Sequence, residues 1–186
     1  MHIGEQLSDL SDHKLTWVAQ LGVEHIAAQT TRDIENEDGT WSVPKIKALQ
    51  ARLASFGITM DVLTLDLQSA YMTKQRYPGI MRALPSRDAE IEIIKQNVRA
   101  AGEAGVPCLK YNLCYLGVPR TERTAGRGGA RYSHFNLEEW RDHSLTEAGE
   151  VSAERAWDVI TYFLERLVPV AEEAGVRLAC HPHDPG

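Results

Sequence analysis

Four times along the chain, a helix-like stretch ends at a glycine followed at once by a β-branched residue and a short apolar run: Gly22-Val23, Gly57-Ile58, Gly105-Val106 and Gly175-Val176. Glycine closes a helix because it takes the left-handed conformation without a Cβ penalty, and the β-branched residue behind it favours a strand. Each joint therefore reads as the end of a helix and the start of a strand. With an N-terminal strand added, the pattern gives strands near 1–7, 23–28, 58–66, 106–116 and 176–181, and helices near 11–21, 43–56, 87–104 and 152–174. Alternation of this kind with short joints predicts parallel strands linked by right-handed crossovers. The last helix is the best marked, with Ala156, Val159, Ile160, Phe163, Leu167, Val170, Ala171 and Ala174 on one apolar stripe, Ser152 as N-cap and Gly175 beyond its end. Pro169 within it predicts a kink or local break.

The connections on the two ends of this sheet differ in length. Helix-to-strand joints are about one glycine, whereas strand-to-helix loops run over about 29–42, 67–86 and 117–151. In a (βα)8 TIM barrel that elaborated face carries the active site. Open α/β sheets also bind at the carboxyl ends of their strands, but Gly4-Glu5-Gln6-Leu7-Ser8 lacks the spacing of a dinucleotide-binding turn, which favours the barrel. A complete barrel takes about 250 residues. The 186 residues here hold five strands and four helices. The chain thus reads as residues 1–186 of a single incomplete α/β TIM-barrel domain, its N-terminal portion, ending after the fifth strand with edge strands and an apolar flank uncovered. Self-association into a homo-oligomer is an expected consequence.

Composition narrows the partners. A formal net charge of −6 with 43% hydrophobic and 25% charged residues gives no basic surface for nucleic acid. No apolar run reaches the roughly 18 residues of a membrane span, and Met1 to Leu10 lacks a signal-peptide pattern, so a cytoplasmic protein is expected. Cys108, Cys114 and Cys180 form no CxxC pair, and their odd number argues against a secreted disulfide framework.

The last strand runs into His181-Pro182-His183-Asp184-Pro185. A strand-end histidine suits a borderline divalent cation because neutral imidazole offers a lone pair without charge; the competing role is a loop hydrogen bond. Cys180 should face the opposite way and pack beneath the helices. Asp184 either orients His181 or caps a turn.

The stretch from Leu167 to Pro185, LVPVAEEAGVRLACHPHDP, resembles the mannonate dehydratase family. Three shorter stretches agree in order: Gly39-Thr40-Trp41-Ser42, Lys110-Tyr111-Asn112 and Arg120-Thr121-Glu122-Arg123-Thr124. The resemblance implies a metal-dependent barrel of the xylose-isomerase-like group that removes water from D-mannonate to give 2-keto-3-deoxygluconate in hexuronate breakdown. It implies Mn2+ or Fe2+, held by His181 and by Cys, His and Asp ligands on later strands, with the catalytic acid and base also beyond Gly186. The sequence departs from the family in having His183 in place of Asp and Gly186 in place of Pro, and in lacking much of a helical insertion after the fourth strand. Against that background Asn112 is a candidate for a sugar-acid hydroxyl, or satisfies its own backbone. His183 is a candidate substrate or supporting contact, or a solvated loop residue. Arg120, Arg123, Arg127 and Arg131 lie around Gly126, Gly128 and Gly129, and guanidinium forks suit a substrate carboxylate. Arg120 and Arg123 are the stronger candidates because they lie nearest the strand end; the competing reading is a solvated loop. Two alternatives stay open: a metal-dependent sugar isomerase or epimerase on the same barrel, and a non-catalytic fragment.

Overall fold

The computed structural model describes residues 3–29, 32–67 and 74–182. Among them the elements are β1 (Glu5–Leu7), α1 (Asp12–Gln20), β2 (His25–Ala28), α2 (Val43–Ala54), β3 (Thr59–Thr64), α3 (Pro78–Arg82), α4 (Arg87–Glu103), β4 (Cys108–Tyr111), β5 (Thr124–Ala125), β6 (Arg131–Tyr132), α5 (Ala153–Glu173) and β7 (Arg177–Cys180). Five strands form one sheet in the order β1-β2-β3-β4-β7, every pairing parallel. This is a TIM-barrel arc of five strands, as the alternation and the glycine joints predict. All four joint glycines sit at positive φ, from 67° at Gly175 to 79° at Gly22 and Gly105. Ser11 caps α1 by accepting from the Lys14 N–H at 3.3 Å, and Ser152 caps α5 from the Arg155 N–H at 3.2 Å.

Residues of alternate parity divide the sheet into two faces. Leu7, Ile26, Ala28, Met60, Leu63 and Leu109 are buried and join Ile46, Leu53, Ile94, Val98, Phe163 and Leu167 of the helices in one core. The other parity mixes polar residues with small or β-branched apolar ones: Gln6 pairs in register with Ala27, Ala27 with Val62, Thr64 with Lys110, and Lys110 with Ala179. A complete barrel would enclose this second face.

Several sequence expectations need correction. The third and fourth strands, Thr59–Thr64 and Cys108–Tyr111, are shorter than 58–66 and 106–116, because their carboxyl ends leave the regular ladder for loops tied by single backbone hydrogen bonds such as that from the Asn112 N–H to the Leu67 carbonyl. The long loops contain structure of their own, the short helix α3 and the antiparallel hairpin β5–β6. Pro169 does not break the last helix: α5 runs through it to Glu173. The lost hydrogen bond falls on the Glu165 carbonyl, and Glu165 and Pro169 both lie on the exposed side, where water can satisfy that group.

Helices α4 and α5 pack closely where Gly102 meets the end of α5. A Cβ at Gly102 would lie 2.5 Å from the Ala174 carbonyl oxygen, a backbone atom that cannot turn aside. Gly102→Val is expected to cost about 1–3 kcal/mol by overpacking. The few tenths by which valine exceeds glycine in helix propensity cannot offset this. Urea unfolding measures it; an unchanged midpoint would show that the two helices can separate freely.

Candidate functional site at the carboxyl ends of the strands

The carboxyl ends of β3, β4 and β7 are fastened to one another by hydrogen bonds that continue beyond the regular ladder. The Leu65 N–H donates to the Lys110 carbonyl at 2.8 Å, and the Asn112 N–H to the Leu67 carbonyl at 2.8 Å. On the other side the His181 N–H donates to the Tyr111 carbonyl at 2.8 Å, and Asn112 Nδ2 donates to the His181 carbonyl at 3.2 Å. Asn112 and His181 therefore lie side by side at one end of the sheet, where the segment leading to Arg120 also departs. Asn112 is only 8% exposed. Its amide nitrogen serves the protein backbone, and its carboxamide oxygen has no protein partner among the described residues.

The His181 ring is exposed, with Nδ1 2.7 Å from the Pro182 carbonyl oxygen. A carbonyl only accepts, so in the neutral ring Nδ1 carries the hydrogen and Nε2 keeps the lone pair. This is the tautomer a metal ligand needs, with the far ring nitrogen fixed by a backbone carbonyl. No cluster of three or more His, Cys, Asp or Glu suited to a metal occurs among the described residues. The described residues at the strand ends thus fit one coordination position, that of His181. His183 and Asp184 lie outside the described residues.

Tyr111, one residue before Asn112, turns to the helix side. Its ring packs against Phe163 at 6.2 Å between centroids and 55° between planes. Burial, with the neighbouring Cys180 thiol, pushes its phenol up to about 12. Cys180 pairs with Tyr111 in register and so faces the helix side as expected, but it is exposed rather than packed beneath helices, because no described helix covers that edge. Cys108 is half-buried, and desolvation raises its thiol above the usual range.

Beside the site an ion cluster braces the rim. Arg76 Nη1 lies 2.5 Å from Glu35 Oε1 and 3.0 Å from Asp66 Oδ2, and its guanidinium stands 5.5 Å from the Tyr77 ring centroid. The hydrogen bond to Glu35, more than any other effect, raises the Arg76 pKa. The β2–α2 loop is also anchored to α4: Asn97, buried, accepts from the Trp41 N–H at 2.8 Å and donates to the Gly39 carbonyl at 3.4 Å. Nothing in the sequence around Glu35 or Arg76 signals this arrangement, since the partners are joined only by the fold.

On the inner face, one residue pair deeper than Asn112 and His181, Lys110 reaches across the arc and donates to Gln6 Oε1 on β1. It has no carboxylate partner among the described residues, and desolvation lowers its pKa. Beside it in register is Thr64, whose hydroxyl is buried without a hydrogen-bond partner among the described residues.

The arginine segment is organised around itself. Arg120 Nη1 donates to the Pro119 carbonyl at 2.9 Å, and Arg131 Nη2 to the Arg123 carbonyl at 3.0 Å. Arg120 lines a surface groove with Glu122, Glu139 and Asp142, carboxylates rather than the Asn112–His181 pair. Thr121 fastens the segment: its N–H donates to the His134 carbonyl at 2.9 Å, and its hydroxyl accepts from the Asn136 N–H at 3.1 Å. The Tyr132 ring lies over Gly126, where an added Cβ would fall 1.9 Å from Cε2, so a larger residue there would displace the ring.

The model of the D-mannonate dehydratase family matches residues 129–186. Mannonate dehydratase 2 of Halalkalibacterium halodurans is 26% identical over 172 residues, covering 79% of this chain and 48% of that protein. The mannonate dehydratase of Thermotoga petrophila is 28% identical over 180 residues, covering 78% of this chain and 47% of that one. The chain spans about half the length of the curated relatives it matches. Among solved structures, mannonate dehydratase from Streptococcus suis serotype 2 superposes on all of this chain and 53% of its own, with a TM-score of 0.77 at 24% identity. A xylose isomerase domain protein from Planctomyces limnophilus follows the same fold with a TM-score of 0.56 at 15% identity over 96% of this chain.

Proposed function

We propose that this chain, similar to mannonate dehydratases over 79% of its length, supplies the first five strands of such an enzyme and one ligand of its metal. The observation that carries the reading is His181: an exposed strand-end imidazole with Nδ1 held by a backbone carbonyl, inside the stretch that the family model matches. The reaction is removal of water from D-mannonate to give 2-keto-3-deoxygluconate. Mn2+ or Fe2+, when bound, polarises carboxylate and hydroxyl oxygens and so acidifies the C–H beside the carboxylate. His181 offers one ligand atom. Asn112 fixes the main chain at His181 and presents its carboxamide oxygen to a sugar hydroxyl. Arg120, Arg123 and His183 are further substrate contacts, reached if the arginine segment closes over the strand ends. The remaining ligands and the acid and base belong to strands that complete the barrel. No helix among the described residues is long and apolar enough to cross a membrane, which fits a cytoplasmic catabolic enzyme.

The test is D-mannonate incubated with Mn2+ or Fe2+ and the chain joined to the three remaining β/α units, with the keto acid measured. Release of 2-keto-3-deoxygluconate is expected from that protein and not from the 186 residues alone, since a single imidazole holds a divalent ion only weakly. A ketose or an epimer as product would assign an isomerase or epimerase instead. Turnover by the 186-residue chain alone would overturn the half-barrel reading.

A further inference from the structure

We propose that Lys110 is the cation that recognises the carboxylate of the substrate, a role that sequence reading gives to Arg120 and Arg123. The inference rests on the reading of the inner face as a sugar-acid site and deepens it. Arg120 donates to the Pro119 carbonyl and lines a groove with Glu122, Glu139 and Asp142 of its own segment. Lys110 stands on the inner face two residues before Asn112, on the strand that carries the site, and its hydrogen-bond partner is the neutral amide of Gln6.

An ammonium partly removed from water and paired only with an amide is under-compensated. Exchanging that amide oxygen for a carboxylate replaces a neutral acceptor with a charged one, giving a shorter and stronger hydrogen bond. The surroundings leave room for the exchange. Lys110 lies in register with Ala179 on one side and Thr64 on the other, and Ala27 occupies the same face of β2. Ala179 beside Lys110 and Ala27 beside its partner Gln6 are small, and Val62 is the larger neighbour on the strand between them.

Thr64 supplies an independent observation. It is 1% exposed, and its hydroxyl is unpaired among the described residues. A buried unpaired hydroxyl is costly, and Thr64 is such a group in register with Lys110, so this part of the inner face holds unanswered polarity that a polar ligand would satisfy once it displaced what covers the hydroxyl. Lysine acts here as a point charge rather than a bidentate fork, which suits a carboxylate whose other oxygen is engaged elsewhere.

The experiment is an NMR titration of the 15N-labelled chain with D-mannonate and, in parallel, with D-mannitol, which keeps the hydroxyls and lacks the carboxylate. The chain is expected to bind the acid 10- to 100-fold more tightly than the polyol, the factor of a hydrogen bond to a charged group. Lys110→Met should abolish that preference while leaving the weak polyol affinity unchanged, and Lys110→Arg should restore part of it. Gln6→Leu removes only the amide and should leave the preference for the acid intact, which separates recognition from support of the arc. Absence of a preference in the unaltered chain, or its persistence in Lys110→Met, would overturn the proposal and return the carboxylate to Arg120 or Arg123. Should the extended protein yield no keto acid while Lys110 still governs acid over polyol, the dehydratase reading fails and the carboxylate site stands.

Discussion

Replacing His181 with Ala is expected to lower Mn2+ or Fe2+ affinity of the completed barrel by at least about 100-fold and to abolish keto-acid formation with it. Groups that merely support a metal ligand are worth 10- to 100-fold, so loss of the ligand atom itself sets that range as a floor. The substitution should leave the fold unchanged, because the anchoring contacts at this position are main-chain: the N–H to Tyr111 and the carbonyl to Asn112. Metal content after dialysis, measured together with turnover, decides the matter. Full metal content in the variant would reduce His181 to a loop residue whose ring serves only the Pro182 carbonyl.

Phe163→Ala should be the most damaging single change to the fold. Phe163 is 0% exposed, sits in the middle of the α5 stripe and faces the Tyr111 ring. Truncation of a buried phenylalanine costs about 3–5 kcal/mol from lost transfer energy and the cavity left behind. Against a net stability of roughly 5–15 kcal/mol for a natural domain, that is between a fifth and the whole of the margin. Denaturant midpoints give the number. A cost under about 1 kcal/mol would mean that α5 docks elsewhere than on β4. Because Tyr111 leads directly into Asn112, the same variant is also expected to loosen the hydrogen bond from Asn112 to His181.

The parts of this structure that were legible in the sequence are those with local causes. A glycine after a helix and a β-branched residue after the glycine mark a joint wherever they occur, and four joints are enough to set the parallel order of the five strands. The placement of His181 and Asn112 at one end follows from that order. Contacts between distant residues escaped. Glu35, Asp66 and Arg76 meet only because β2 and β3 run side by side, and no spacing announces them. The β5–β6 hairpin was missed because its strands are two residues each, too short to show alternation, and because its arginines and glycines read equally well as solvated loop. The exposure of Cys180 is not legible for a different reason: strand parity gives the direction in which a side chain points, whereas burial depends on what stands opposite.

In the five-stranded sheet each strand lies beside the strand that precedes it within that sheet. During synthesis every new strand therefore meets a docking edge that already exists, and the first three crossovers close over short stretches of chain, whereas the one from β4 to β7 must first span the hairpin and α5. The bond from Lys110 to Gln6, separated by 104 residues, is of another kind. It cannot form until β4 has emerged and curvature has brought it round towards β1. Formation of this bond therefore marks the moment at which a growing ribbon becomes a bowl, and a concave inner face exists only after that point.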